Sequence, residues 1–174
     1  MNIVSINGSP RKKGNTESLI NKLLEGAKSN GHNVTSFNPN TMTIKGCQAC
    51  MGCKSASGKC VQKDDMNSVY DAVNNSDVVV LGTPIYFGGM TAQLKNVFDR
   101  FFPYMPGKLE GNKKCVLIVS HGAPDKASYE SFTNTISSMA KAIGFSDVEV
   151  FIGNDSGNEH PEYLEKCYEI GSSL

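Results

Sequence analysis

The 174-residue chain carries 17 Lys+Arg against 17 Asp+Glu, a formal net charge of zero, with 39% hydrophobic residues and no tryptophan. That balance excludes a global field that would draw the protein onto nucleic acid or anionic lipid, so partners must be recognised locally. No apolar run approaches the ~20 residues of a membrane span, and the N-terminal apolar stretch is too short for a signal core. The expectation is one cytoplasmic domain over residues 1–174, large enough to bury a core without staples.

The first β-branched run, residues 3–6, predicts a strand. It enters the loop Gly8, Ser9, Pro10, Arg11, Lys12, Lys13, Gly14, Asn15, Thr16 and then a helical pattern at Leu19, Ile20, Leu23, Leu24 and Ala27, with Asn15 or Thr16 as cap and Gly31 as stop. A second strand at 34–37 leads into residues 39–63, a connection several times longer than the roughly two to six residues usual in such folds. Asp64 then caps a helix through Met66, Val69, Tyr70 and Val73, and residues 78–81 form a third strand. A loop from Gly82 to Met90 precedes a helix beginning near Thr91 with Leu94, Val97, Phe98 and Phe101 on one face. The aromatic stretch 101–106 follows; it could not easily stay exposed, which points to a homodimer or homotetramer unless its side chains fold back onto their own domain. Residues 116–119 are a fourth strand, ending in Ser120, His121, Gly122, Ala123 and Pro124. A helix capped by Ser128, with Phe132, Ile136, Met139, Ala140 and Ile143 inward, stops at Gly144. A fifth strand at 148–152 and a helix through Tyr163, Leu164, Cys167 and Tyr168 complete the chain. Strands mostly too continuous for half-exposed sheets, alternating with helices, predict an α/β three-layer sandwich around a five-stranded parallel sheet of order 2-1-3-4-5.

Three loops then fall at the carboxyl ends of neighbouring strands, where ligands bind in open α/β sheets. The first suits an anion, with helix-terminal N–H groups, the Ser9 and Thr16 hydroxyls, the Asn15 amide and the Arg11 charge. It lacks the spacing of a nucleoside-triphosphate loop or a Rossmann fingerprint, and no cysteine lies in it to serve as a phosphatase nucleophile. In the second, Tyr86 and Phe87 between Pro84 and two glycines offer flat apolar surface for a planar ring. The third, with Ser120, His121 and Gly122, supplies a small-residue rim.

The run Gly-Ser-Pro-Arg-x-x-Gly-Asn-Thr after the first strand, with Thr-Pro-Ile-Tyr-Phe-Gly-Gly-Met-x-x-Gln-Leu-Lys-x-x-x-Asp-Arg at residues 83–100, resembles the NADPH-dependent FMN reductase and iron-sulfur flavoprotein group. The resemblance spans most of the chain and implies a flavodoxin-like fold with non-covalently bound FMN. By position, it implies that Ser9, Arg11, Gly14, Asn15 and Thr16 hold the FMN phosphate. Pro84, Ile85, Tyr86, Phe87 and Gly88 then border the isoalloxazine, and Ser120, His121 and Gly122 close the third side. It further implies hydride transfer from NAD(P)H to the flavin, with no side-chain acid or base required, and backbone N–H groups near Gly88 facing the reduced ring. The family is oligomeric.

Within the long connection, Cys47, Cys50, Cys53 and Cys60 form a Cys-x2-Cys-x2-Cys-x6-Cys array, dense enough for soft metals and opening like a ferredoxin 4Fe-4S site. The resembling flavoproteins carry such an array just before an Asp-Asp-Met helix start, here Asp64, Asp65 and Met66. Spacing alone leaves open a cluster, a zinc site, a redox disulfide or free thiols. Cys115 and Cys167 read as core residues. The sequence therefore points to an enzyme passing electrons from NAD(P)H through FMN, with or without a cluster, to a quinone, a flavin or another small-molecule or protein acceptor. The rival is a non-enzymatic flavodoxin-type carrier, which the balanced charge disfavours.

Overall fold

The computed structural model describes residues 1–55, 58–122, 127–154 and 160–174. Five parallel strands, β1 (Asn2–Asn7), β2 (Asn33–Phe37), β3 (Val78–Pro84), β4 (Lys114–His121) and β5 (Asp147–Asn154), lie in the order β2-β1-β3-β4-β5. The register places Ile3 beside Val34 and Val78, and Val80 beside Val116. The helices are α1 (Asn15–Ser29), α2 (Gly52–Ser55), α3 (Met66–Asn74), α4 (Ala92–Arg100), α5 (Ala127–Ile143) and α6 (Pro161–Ser172).

Alternation along the strands divides the core into two layers, because successive side chains point to opposite faces of a sheet. Val79, Leu81, Cys115 and Leu117 pack with α3, α4 and α5; Ile3, Val78, Val80, Val116 and Ile118 pack with α1 and α6. The two helices of the second layer approach so closely that a Cβ on Gly26 would sit 2.2 Å from the Tyr168 carbonyl oxygen, and one on Gly171 1.9 Å from that of Leu23. Only glycine fits there. Burial pushes the Cys167 thiol up to about 12 and that of Cys115 higher still, so both are inert core residues as expected.

Several local expectations change. The edge strands are less buried than their composition implies, since β2 exposes Thr35 and Ser36 and residues 148–152 of β5 are only half-buried. Neither Asn15 nor Thr16 caps α1; extended Gly14 stands there without a side-chain bond, and Thr16 points into the sheet. Asp65 holds the cap position of α3, yet the Asp64 carboxylate accepts from the Met66 N–H at 3.2 Å, as a cap would. Ser128 falls within α5, and its side chain, like Ala123 and Pro124, lies outside the described residues. Met139 is 53% exposed and not part of the core.

The 101–106 stretch folds back on its own domain. Phe101 and Tyr104 are buried, with ring centroids 5.7 Å apart, and the Tyr104 hydroxyl donates to Asn74 Oδ1 at 2.8 Å. Its aromatic content is thus no argument for association, and only Phe102 remains exposed among these rings. Gly31 and Gly144 stop their helices at positive φ, 77° and 123°.

Candidate functional site

The chain crosses to opposite faces of the sheet after β1 and after β3, which opens a crevice at the carboxyl ends of adjacent β1, β3 and β4. All three loops meet there. Gly8 donates to the Gly82 carbonyl at 2.8 Å, and the Thr91 hydroxyl donates to the Gly8 carbonyl at 2.6 Å while accepting from Leu94 N–H as the α4 cap. A Cβ on Gly8 would stand 2.5 Å from Leu94 Cβ, so this residue lets the first loop seat against α4. Buried Ser9 accepts from the Arg11 N–H at 3.3 Å, curling the loop, and its own N–H donates to Asn7 Oδ1. Thr16 Oγ1 lies 2.8 Å from Ser120 Oγ, linking the first loop to the third. Arg11, Lys12 and Lys13 remain exposed, so three cationic side chains stand on one short loop at the crevice.

The second loop is a tight turn. Tyr86 and Gly89 exchange two backbone hydrogen bonds, 2.9 and 3.0 Å, around Phe87 and Gly88 at φ 48° and 74°. Positive φ at both central residues is the primed turn that glycine and asparagine ordinarily supply. Phe87 occupies it at a cost of about 1–2 kcal/mol, and its ring is fully exposed. Among the described residues the N–H groups of Phe87 and Gly88 have no hydrogen-bond partner. Ile85 donates to the Ser120 carbonyl at 2.8 Å, extending the β3–β4 ladder into the loop, and Tyr86 is 42% exposed. Strain at an exposed aromatic with two unused donors has no structural purpose in the fold itself. On the third side, half-buried His121 stacks at 4.2 Å on Tyr129, and Gly122 is open to solvent.

Pro84 and Ile85 adjoin Ser120, and Ser120 adjoins Thr16, so the loops carrying residues 84–88, 9–16 and 120–122 gather at one sheet edge. Cationic side chains at a helix N-terminus, an exposed aromatic pair and unpaired turn donors suit the phosphate, ring and ring polar edge of FMN. The sequence places the helix start near Thr91, and the structure makes Thr91 its cap, as a threonine just before an apolar helical run ordinarily is.

A second site lies at the far end of α4. Cys47, Cys50, Cys53 and Cys60 line one small pocket of about 20 Å³ together with Gln62, Arg100 and Pro103. Left-handed backbone at Ala49 and Met51, on either side of Cys50, coils the array inward. Cys53 is buried, Cys60 half-buried, Cys47 and Cys50 exposed, and all four are unpaired thiols. Among the described residues no three His, Cys, Asp or Glu side chains already converge as on one metal ion.

Beneath this pocket is an ion pair that the sequence reading did not see. Arg100 Nη1 and Nη2 donate to the Asp64 carboxylate at 2.7 and 3.1 Å, with both side chains no more than 2% exposed. Burial works against the Asp64 charge, but Arg100 and the Lys45 N–H outweigh it and hold the carboxyl below its ordinary range. Arg100 Nε is buried without a partner. A sulfur-lined pocket with an orphan cationic donor fits a thiolate-bound centre.

Residues 1–156 match the family described as NADPH-dependent FMN reductase. An iron-sulfur flavoprotein of Archaeoglobus fulgidus is 32% identical over 181 residues, covering 100% of this chain and 79% of that protein. One from Methanosarcina thermophila is 37% identical over 100 residues, 58% of this chain and 52% of that relative, so this match spans about half the relative's length. Among solved structures, an NAD(P)H:quinone oxidoreductase from Methanothermobacter marburgensis superposes with a TM-score of 0.80 at 18% identity, over 100% of this chain and 96% of that one. An FMN-dependent NADH-azoreductase from Bacillus anthracis, solved in complex with FMN, gives 0.73 at 15% identity, over 99% and 97%. These structural likenesses are of fold. Among the described residues no helix is long and apolar enough to cross a membrane. With a flavodoxin-like sheet, three loops gathered at its switch point and a family match across most of its length, the chain belongs to the NADPH-dependent FMN reductase family, oxidoreductases that work with FMN and NAD(P)H.

Proposed function

We propose that the three-loop crevice binds FMN and that the protein passes electrons from NAD(P)H to a quinone, a flavin or another small-molecule or protein acceptor. The observation that carries this reading is the Phe87–Gly88 turn, strained, exposed and with unpaired N–H groups, set beside a cationic loop at the switch point. Ser9, Arg11, Gly14, Asn15 and Thr16 take the phosphate. Pro84, Ile85, Tyr86, Phe87 and Gly88 lie along the ring, and the turn N–H groups face the polar edge that gains negative charge on reduction. Ser120, His121 and Gly122 bound the third side. FMN supplies the hydride acceptance and the onward release of electrons; the chain binds it, orients it and leaves one face open to nucleotide and acceptor.

Cys47, Cys50, Cys53 and Cys60 are proposed to hold a 4Fe-4S cluster. Support comes from their shared pocket and from relatives named iron-sulfur flavoprotein. A cytoplasmic setting keeps such thiols reduced. Nine-residue α4 spans the distance from the ring loop to the cysteine pocket, about 14 Å at 1.5 Å per residue. A homodimer or homotetramer is retained in the proposal because Tyr86, Phe87 and Met139 stay exposed. The test is anaerobic: NAD(P)H oxidation by the FMN-loaded protein with a quinone or ferricyanide, alongside iron and sulfide analysis. Steady turnover supports the enzyme; a protein that binds FMN yet needs a separate reductase is a carrier.

A further inference from the structure

The cysteine loop is tied at its neck by side chains. Thr43 N–H donates to Asp65 Oδ2 at 2.7 Å, and Asp65 N–H donates back to the Thr43 carbonyl at 3.1 Å. One step inward, Lys45 N–H donates to Asp64 Oδ2 at 3.0 Å, and the Lys45 carbonyl accepts from Arg100 Nη1 at 2.8 Å. Arg100 thus grips Lys45, two residues before the array, and Asp64, four residues after it, with one guanidinium. The Tyr70 hydroxyl donates to the Arg100 carbonyl, fixing the end of α4. Halfway along the loop, Lys54 Nζ donates to the Phe102 carbonyl at 2.9 Å and lies 4.3 Å from the Phe102 ring centroid.

Four of the five guanidinium N–H bonds lie on the two terminal nitrogens, which make three hydrogen bonds, two to Asp64 and one to the Lys45 carbonyl. The fifth, on Nε, is buried and unpaired in a residue that lines the sulfur pocket. A buried charged donor left without an acceptor calls for one, and the chemistry it demands is an anion or a strong lone pair. Cys60 and the other three cysteines line this same pocket with Arg100.

We infer that Arg100 is a positioning residue of the cysteine site, closing the loop neck through Asp64 and Lys45 and offering its Nε–H to a sulfur of the thiolate-bound centre. This rests on the reading that the four cysteines hold such a centre. The consequences are two. The clamp holds the array in place against the entropy of the loop, so the centre resists removal. A cationic hydrogen bond to sulfur also favours the more negative, reduced state of the centre and raises its potential.

The test uses the full chain loaded anaerobically with ferrous iron and sulfide, compared with R100K and with the double variant D64N/R100Q. Lysine keeps the charge but has neither fork nor Nε; the double variant removes the pair without leaving a lone buried ion. Iron retention against a chelator should fall about 10-fold in both, and the midpoint potential in a redox titration should shift negative, a change that loosened packing alone does not dictate. FMN fluorescence quenching reports folding independently of the cysteine site. Wild-type retention and potential in either folded variant overturn the inference. If wild-type protein takes up no iron and sulfide, the four-cysteine reading fails first and takes the inference with it.

Discussion

The flavin crevice and the cysteine pocket are built by different means. The crevice loops are short continuations of central strands, held by backbone bonds such as Gly8 to Gly82 and Ile85 to Ser120, so the sheet pre-organises them. The cysteine array sits in a connection of about twenty-five residues, and its neck is closed by the buried pair Arg100–Asp64. A site grown from a sheet inherits its rigidity; one hung on a loop must be fixed by side chains, and those become single points of failure.

The largest effect is expected at that pair. Arg100→Ala leaves Asp64 buried without its counter-ion, a loss of about 3–5 kcal/mol, or on the order of 10 °C in melting temperature for a chain of this size. Calorimetry checks this. A loss under 1 kcal/mol would show that the cysteine loop is fixed by something other than the pair. On the crevice side, Gly8→Ala forces a methyl against Leu94 and Gly82, with about 1–3 kcal/mol of overpacking and weaker FMN binding by fluorescence titration. If affinity is unchanged, the first loop does not need its seat on α4.

Phe87→Gly separates stability from function. Relieving the left-handed backbone should raise stability by up to about 1 kcal/mol, while loss of the ring and of turn rigidity weakens FMN binding. A variant both more stable and equally tight would remove the functional reason for the strain. The smallest effect is with pH. Asp64 has its folded value depressed below the ordinary 3.8, so its contribution is full above that value and is lost as pH falls through the folded one. Below about pH 4 the wild type should lose melting temperature more steeply than D64N/R100Q; parallel curves would mean that the pair does not titrate in that window.

The same division decides how much was legible in the sequence. Five β-branched runs and their helical partners gave the strand order, since parallel α/β connectivity leaves few alternatives. The crevice loops could be read because their residues are consecutive and sit at strand ends. The Phe87 backbone could not, because nothing local marks a phenylalanine in a turn built for glycine. Asp64 and Arg100 are 36 residues apart, and each has an ordinary local explanation, as a cap and as the basic end of a helix. Only the fold reveals them as a pair. The apparent burial of β2 and the apparent stickiness of residues 101–106 misled for a related reason: composition shows that a residue can be buried, while position in the sheet decides whether it is.

The most direct test of the account is a titration of the purified protein with FMN under reducing, anaerobic conditions. Three loops acting on one cofactor predict saturable quenching of flavin fluorescence at one FMN per chain, weakened in parallel by Gly8→Ala and Phe87→Gly. Absence of quenching together with a flat calorimetric trace would contradict the assignment of the crevice to FMN.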